Sequence, residues 1–327
     1  MDKGQPYVAR GSSNNGVKGY IIEDEQFLND KNTISFGQDT ATMFYQEKPY
    51  FTGDKIKILK SKFNKFNKLK GFFLVATMMK SFSSFSWGGS RFNIKVIGNQ
   101  SVKLPTKNNE IDFDFMENFI AELEAQKIAR LEDYLVENGL KEYCLSDEEE
   151  GILKNLSNIE FQDFKVVDIF DVRNSGNILS RDIVENSGDV PYLCASSENN
   201  AVSSYISYDD KYLDKGDCVF IGGKTFVVTY QEKDFYSNDS HNLILNLKEK
   251  EEKNKLTQLY LATCINKSLG YKYSWGDSIS NRKIQKDTVS LPTKNNQPDY
   301  ALMQTLISAV QKLVVKDVVL YVQGKRS

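Results

Sequence analysis

The amino-acid sequence predicts an α+β protein built as a tandem repeat, with two similar bodies of short strands and packed helices, each followed by one long helix. Three observations lead to this class. Two stretches of the chain match each other at conserved internal spacing. Each copy contains short β-branched and aromatic clusters bounded by turn residues. Each copy ends in a long amphipathic helical pattern, and the two helices are predicted to pair as an antiparallel coiled coil.

Length and composition agree with this class. The 327 residues exceed one typical domain, and the 40% hydrophobic and 26% charged residues exclude a disordered chain, a collagen and a disulfide scaffold. The formal net charge of −2 counts against a protein coated in positive charge. Neither a signal peptide nor a long apolar run is present, which predicts a cytoplasmic protein without a membrane anchor. Four cysteines without CxxC spacing predict reduced, buried thiols and no metal site.

The repeat begins near the N-terminus and extends through the chain. The opening residues Pro6, Tyr7, Asn14, Asn15, Val17, Tyr20 and Ile21 return at the same spacing as Pro191, Tyr192, Asn199, Asn200, Val202, Tyr205 and Ile206. The runs Tyr-Gln-Glu-Lys (45–48 and 230–233), Ser-Trp-Gly (86–88 and 274–276) and Leu-Pro-Thr-Lys-Asn-Asn (104–109 and 291–296) follow in the same order. The two tryptophans, Trp87 and Trp275, are therefore equivalent positions and are predicted to anchor the cores.

The two copies differ at their starts. About 30 residues before Pro191 have a structured pattern, including an apolar alternation from Phe164 to Val172, whereas five residues precede Pro6. The first copy therefore lacks its opening strands. Either the chain is an N-terminally shortened product of a longer reading frame, or another segment supplies these strands.

The repeat divides the chain into five parts. We predict a first body at 1–110, a first long helix at 111–142, a linker at 143–158, a second body at 159–297 and a second long helix at 298–324. Helices packed on the sheets are expected within Lys62–Lys80 and Lys253–Ser268. The linker contains a capping box with an acidic first turn at Ser146–Glu150, which we expect to be a solvated face.

The long helices are predicted to run from Asp112 to Gly139 and from Asp299 to Gly324, with the glycines as terminators. Their apolar residues fall at helical spacing on one face. The residues expected at the helix-pair interface are Met116, Phe119, Leu123, Leu131, Met303, Leu306, Val310 and Val314. The alternative is that each helix only covers its own body.

Catalytic motifs are absent from the sequence, whereas residues suited to nucleic acid are present. No phosphate-binding glycine loop, zinc-protease motif or nucleophile elbow occurs. Glu47 or Glu232 of the Tyr-Gln-Glu-Lys runs could bind Mg²⁺ in a nuclease, but an alternating strand explains these runs more simply. The predicted DNA-contacting residues are Lys55, Lys57 and Lys60 of a lysine-rich segment, Ser196, Ser197 and Asn199, and the loop of Gly222, Gly223, Lys224 and Thr225.

Each of these predicted DNA contacts has a structural alternative. The lysines suit a solvated face, the glycine loop suits a plain hairpin, and the repeated asparagine pairs suit turns. Residues that recognise different DNA sequences should differ between the copies, whereas scaffold residues should match. The asparagine pairs match between the copies, which favours a turn role for them.

The tandem layout, the Pro-Tyr and Asn-Asn opening, the Ser-Trp-Gly segment and the Leu-Pro-Thr-Lys-Asn-Asn lead into each helix resemble the DNA-specificity (S) subunits of type I restriction-modification systems. The resemblance covers nearly the whole chain, except for the missing start of the first copy. It implies a non-catalytic protein whose two target-recognition domains each bind one arm of a bipartite double-stranded DNA site.

The resemblance also implies partners. The long helices would hold the domains apart and dock methyltransferase (M) subunits, two in number, with restriction (R) subunits joining the complex. S-adenosylmethionine, Mg²⁺ and ATP would belong to these partners, and this chain would bind no cofactor or metal. The alternatives are a specificity subunit of a type IIB system, a stand-alone nuclease or methyltransferase, and a protein-interaction scaffold.

Overall fold

The computed structural model of the chain describes residues 4–63, 65–82 and 94–326. It divides into two compact units, Met1–Tyr134 and Leu135–Ser327. Trp87 and its Ser-Trp-Gly run lie outside the described residues.

The first unit contains two three-stranded sheets and a packed helix. Its elements are β1 (Gln5–Val8), β2 (Val17–Ile21), β3 (Thr33–Gly37), β4 (Met43–Gln46), β5 (Phe51–Thr52), β6 (Ile56–Leu59), α1 (Lys68–Ser81), α2 (Ile94–Gly98), β7 (Thr106–Lys107), β8 (Glu110–Ile111) and the long helix α3 (Phe113–Glu137). The sheets have the orders β2-β1-β5 and β4-β3-β6, and β7 pairs with β8. Ile34, Phe36, Met43 and Phe82 form the core between β3, β4 and α1.

The second unit contains the same sheets with additional strands. Its elements are α4 (Asp147–Lys154), β9 (Phe161–Lys165), α5 (Val166–Ile169), β10 (Phe170–Asn174), β11 (Val190–Leu193), β12 (Val202–Ile206), β13 (Cys218–Gly222), β14 (Val227–Gln231), β15 (Tyr236–Ser237), β16 (Leu243–Leu247), α6 (Lys255–Leu269), α7 (Asn281–Ile284), β17 (Thr288–Lys294), β18 (Gln297–Pro298) and α8 (Tyr300–Arg326). The sheet orders are β10-β16-β13-β14, β12-β11-β15 and β18-β17-β9.

Strand pairing repeats between the two units, which confirms the predicted α+β tandem repeat. In each unit the first strand of the repeat pairs antiparallel with the next strand and parallel with a two-residue strand, so that Tyr7 lies opposite Phe51 and Tyr192 opposite Tyr236. The central hairpins β3-β4 and β13-β14 likewise share their register.

The repeated asparagine pairs make turns, as the comparison of the two copies favoured. Asn14, Asn15, Asn199 and Asn200 all have positive φ, between 48° and 53°, a conformation that asparagine tolerates better than most residues. The Asn15 and Asn200 side chains each donate to a carbonyl of the neighbouring hairpin, Tyr45 O and Tyr230 O, at 3.0 Å. The matched residues therefore build the scaffold.

The units differ at one sheet edge. In the second unit β16 pairs with β13 on one side and β10 on the other. Among the described residues of the first unit, β6 pairs with β3 alone. Accordingly Leu243, Ile244 and Leu245 of β16 are fully buried, whereas β6 is half-buried along its length.

The long helices begin one residue later than predicted, because Asp112 and Asp299 are caps. Their carboxylates accept from the backbone N–H groups of Phe115 and Leu302 at 2.8 and 3.0 Å. Gly139 follows the end of α3 with φ +65°, as a terminating glycine should. The predicted end at Gly324 is wrong: its φ is not left-handed, and α8 continues to Arg326. The sheet-packed helices start at Lys68 and Lys255, each capped by a preceding asparagine.

The linker helix α4 packs against α8, and the prediction of a solvated face is wrong for Glu149. Ser146 and Glu149 form the predicted capping box. The Glu149 side chain is 5% exposed and accepts from Ser308 Oγ at 2.6 Å and Lys312 Nζ at 2.9 Å. Burial alone would raise its pKa, but these two hydrogen bonds and the one from the Ser146 backbone lower the pKa to about 2.

Two further core predictions need correction. Trp275 is 76% exposed, because it lies in the tight turn between Ser274 and Asp277 and not under a sheet. Of the cysteines, Cys218 is buried on β13, Cys194 and Cys264 are half-buried and Cys144 is exposed. No helix in the described part of the chain is long and apolar enough to cross a membrane.

Candidate nucleic-acid interface

Three loops of the second unit meet at one end of its sheets. They follow β11, β13 and β15, and we call this surface the second loop end: residues 194–199, 223–226 and 238–242. The hydroxyl of Thr225 donates to Ala195 O at 2.8 Å, and the backbone N–H of Gly223 donates to Asn242 Oδ1 at 2.9 Å. These bonds bring residues that are far apart in the sequence onto one surface.

The two glycines of the predicted DNA-contacting loop allow neighbouring loops to pack closely against its backbone. A Cβ at Gly222 would lie 2.6 Å from the Ala195 side chain, and a Cβ at Gly223 would collide with the His241 carbonyl. Thr225 is held by its bond to Ala195. Of the four loop residues, Lys224 is the exposed one that carries a charge.

Lys224 lies beside a carboxylate that also binds a histidine. Asp239 Oδ2 is 2.8 Å from Lys224 Nζ, and Asp239 Oδ1 is 2.7 Å from His241 Nδ1. Burial acts to raise the pKa of Asp239, but the hydrogen bonds from Lys224 and from the backbone and ring of His241 lower that pKa to about 2. Asp239 is therefore ionised near neutral pH and holds two basic side chains at the surface.

Ser196, Ser197 and Asn199 lie on the first of the three loops. The Ser196 hydroxyl accepts from the Glu198 backbone N–H at 3.1 Å, and Ser197 is exposed. The Asn199 side chain donates to Val202 O at 3.0 Å, as Asn14 does to Val17 O in the first unit. Because both copies make the same local bond, Asn199 is placed here as a turn former.

The first unit has a corresponding surface, the first loop end, formed by residues 9–15, 38–42 and 53–55. Its loops are joined by bonds from Gly53 N to Val8 O and from Gln38 N to Lys55 O, both 2.9 Å. Here Asp39 Oδ2 lies 2.5 Å from Arg10 Nη1 and 3.1 Å from Lys55 Nζ. Again one carboxylate holds two basic side chains.

The predicted lysine cluster is spread along a strand. Lys55 belongs to the first loop end, and Lys57 lies on β6 opposite Phe36. Lys60 lies beyond the other end of β6 and binds Asp30 at 2.5 Å. The structure therefore brings together Lys55, Arg10 and Asp39, and it separates Lys60 from them.

Four residues of the loop ends are not among the predicted DNA contacts: Arg10, Asp39, Asp239 and His241. A signal was available for Asp39, since Asp39 and Lys224 each stand two residues after the glycine that ends the central strand, with opposite charge. Their partners come from loops distant in the sequence, which periodicity does not relate.

The Tyr-Gln-Glu-Lys runs have a structural role in the described residues. Gln46 and Gln231 are buried and donate to the carbonyls of Asn15 and Asn200 at 3.1 and 2.9 Å. Glu47 and Glu232 bind lysines at the starts of α1 and α6. In the described ranges no group of three or more His, Cys, Asp or Glu side chains could hold a metal ion.

The predicted helix-pair residues have different surroundings. Met303 lies in the core of the second unit, with Leu306 packed against that core. Met116 is fully buried, Leu131 is half-buried, and Phe119 packs edge-on against Phe73 of its own unit. Leu123, Val310 and Val314 are exposed by 41, 43 and 72%. The pairing of the two helices stays a prediction.

A duplicated α+β body, with paired basic side chains on the loops of each copy and a long helix after each, defines a modular nucleic-acid-recognition protein. The chain belongs to the type I restriction modification DNA specificity domain family, whose sequence model matches residues 1–133 and 158–314. The two matched ranges correspond to the two copies of the repeat. The resemblance found in the sequence motifs is confirmed, and with it the DNA-specificity role in restriction-modification.

Two relatives illustrate the match. The chain is 23% identical to the S.BcgI specificity subunit of a type II restriction enzyme from Heyndrickxia coagulans, over 96% of this chain and 88% of that protein. The S subunit of a type I restriction-modification system from M. genitalium has a similar fold, with a TM-score of 0.63 at 12% identity over 99% of this chain and 85% of that one.

Proposed function

We propose that this chain is the non-catalytic DNA-recognition subunit of a type I restriction-modification complex, in which each unit binds one arm of a bipartite site. The observation that carries the proposal is the presence, in both family-matched units, of a loop end with two basic side chains on a shared carboxylate. Basic side chains on divergent loops over a matched scaffold suit two sites with different DNA sequences.

The long helices act as spacers in this proposal. At ~1.5 Å per residue the 25 residues of α3 span about 37 Å and the 27 residues of α8 about 40 Å. One turn of DNA separates half-sites by about 34 to 36 Å. Two such helices side by side would hold the loop ends about one turn of DNA apart, so that both could contact the same face of a duplex.

The chemistry is assigned to partner subunits. Two methyltransferase subunits would dock on the helices and use S-adenosylmethionine, while restriction subunits would use ATP and Mg²⁺. This chain would bind no cofactor itself and would work in the cytoplasm. The match to S.BcgI keeps a type II specificity subunit as the second candidate.

The test maps DNA methylation in cells that express this chain with its methyltransferase subunit. We expect methylated bases in one bipartite motif, lost when this chain is omitted. Purified complex should bind a duplex with that motif more tightly than a scrambled duplex, with an affinity that falls steeply with salt. Methylation or cleavage by the purified chain alone would support the enzyme alternative, and complex formation without sequence-dependent binding would support a scaffold.

A further inference from the structure

We infer that Asp39 and Asp239 are positioning residues for DNA recognition, each holding two basic side chains in place to contact base edges at its loop end. This inference rests on the proposed DNA-recognition function. Each carboxylate is itself mostly shielded, with 22 and 21% of the side chain exposed, whereas the four basic partners are exposed by 38 to 67%. The basic side chains therefore face outward and the carboxylates lie behind them.

The arrangement recurs with its charges exchanged. In the first unit the carboxylate stands on the β3-β4 turn, and the cations come from the β1-β2 and β5-β6 loops. In the second unit the equivalent turn carries Lys224, while Asp239 and His241 come from the β15-β16 loop. Inherited scaffold contacts would keep the same residues, as the asparagine pairs do. Here the residues differ and the grouping of one carboxylate with two basic side chains is kept.

Stability alone does not explain why the grouping recurs. The basic partners are largely exposed, so water weakens their attraction to the carboxylate, and the entropy of ordering them opposes it. What a shared carboxylate does provide is orientation, since a lysine or arginine with a fixed partner keeps one geometry for a guanine edge. A lysine without such a partner would contact any nearby phosphate, whatever the DNA sequence.

The carboxylate also opposes indiscriminate binding. It lowers the local positive charge, so DNA without the correct bases gains less from Lys224. Removing the charge of Asp239 should therefore strengthen binding to scrambled DNA and steepen its salt dependence by up to about one released counterion. It should also weaken discrimination at the second arm by about tenfold, the scale of one lost base contact.

The experiment uses the complex of the full chain with its methyltransferase subunit and four duplexes: the mapped site, the site scrambled in either arm, and fully scrambled DNA. Affinities are measured by fluorescence anisotropy across a salt series. Asp239→Asn should lose discrimination at one arm and Asp39→Asn at the other. Matched controls are Asp234→Asn and Asp30→Asn, which remove aspartates bound to Lys215 and Lys60 away from the loop ends.

A second variant separates positioning from folding. Lys224→Ala should lower discrimination at the same arm as Asp239→Asn but weaken binding to scrambled DNA. A purely structural role for Asp239 would lower affinity for all duplexes together and shift the thermal transition. Wild-type discrimination that persists unchanged in Asp239→Asn would overturn this inference alone, whereas a wild-type complex without sequence preference would overturn the proposed function.

Discussion

Replacing Glu149 by alanine is expected to destabilise the second unit by about 3 kcal/mol. Its carboxylate accepts from Ser308 at 2.6 Å, Lys312 at 2.9 Å and the Ser146 N–H at 2.8 Å. A hydrogen bond to a charged group contributes about 1.5 to 3 kcal/mol and a helix cap about 1 kcal/mol. These contributions are not additive, and Lys312, 20% exposed, can turn toward water after the change.

The assay is differential scanning calorimetry of the full chain. For a unit of this size 1 kcal/mol shifts the melting temperature by about 2 to 4 °C, so the transition of the second unit should fall by about 6 to 12 °C. The control is Glu148→Ala, which removes an exposed carboxylate from the same helix turn. A melting temperature for Glu149→Ala within 2 °C of the control would refute the idea that Glu149 holds α4 against α8.

The pH dependence gives an independent check. The pKa of Glu149 is lowered in the folded chain to about 2, whereas an unfolded glutamate titrates near pH 4.3. A lowered pKa adds stability that is fully present above the unfolded value and is lost as the pH falls through the folded value. The difference between the wild type and Glu149→Gln should therefore be constant near neutrality and shrink between about pH 5 and pH 2. A constant difference down to pH 2 would contradict this assignment.

Three further substitutions test other parts of the molecule. Gly223→Ala should displace the second loop end, because the new methyl group meets the His241 carbonyl, and DNA binding by the complex should weaken at least tenfold. Its control is Gly276→Ala, at a glycine with open space around it, which should leave DNA binding unchanged. Val310→Asp should disrupt the predicted helix pair, and unchanged methyltransferase binding with a native melting curve would argue against that pairing. Asn200→Ala should lower the free energy of unfolding by about 1 to 2 kcal/mol, because it removes the hydrogen bond to Tyr230 O and a residue that tolerates φ +53°. An unchanged urea midpoint would show that the turn does not need this side chain.

The architecture could be predicted from the sequence because the repeat supplies two examples of each element. Asn14 and Asn199, or Asp112 and Asp299, each identify a turn or cap in both copies, and the structure gives both members the same role. The wrong predictions concern a helix end and residues whose burial depends on tertiary packing. Gly324 lacks the left-handed φ that Gly139 adopts, and the exposed Trp275 lies in a turn.

Glu149 shows why burial escaped prediction. Its acidic run is typical of a solvated first turn, and the local capping box was predicted correctly. Its two partners from another helix, the Ser308 hydroxyl and the Lys312 ammonium, lie on α8, more than 150 residues later in the chain. Local propensity describes a helix end well, but it contains no information about which distant helix will pack on it.

The loop ends pose the same problem in a stronger form. Matching residues between the copies identifies the scaffold, and the residues that remain unmatched are the ones that can differ in specificity. Asp39 and Lys224 occupy the same turn position with opposite charges, so an alignment of the two copies records only a disagreement there. The folded loops resolve it, because each of these residues meets its counter-charge on a neighbouring loop. What the two copies share at this surface is a balance of charge between loops, and such a balance becomes visible only when the loops are placed side by side.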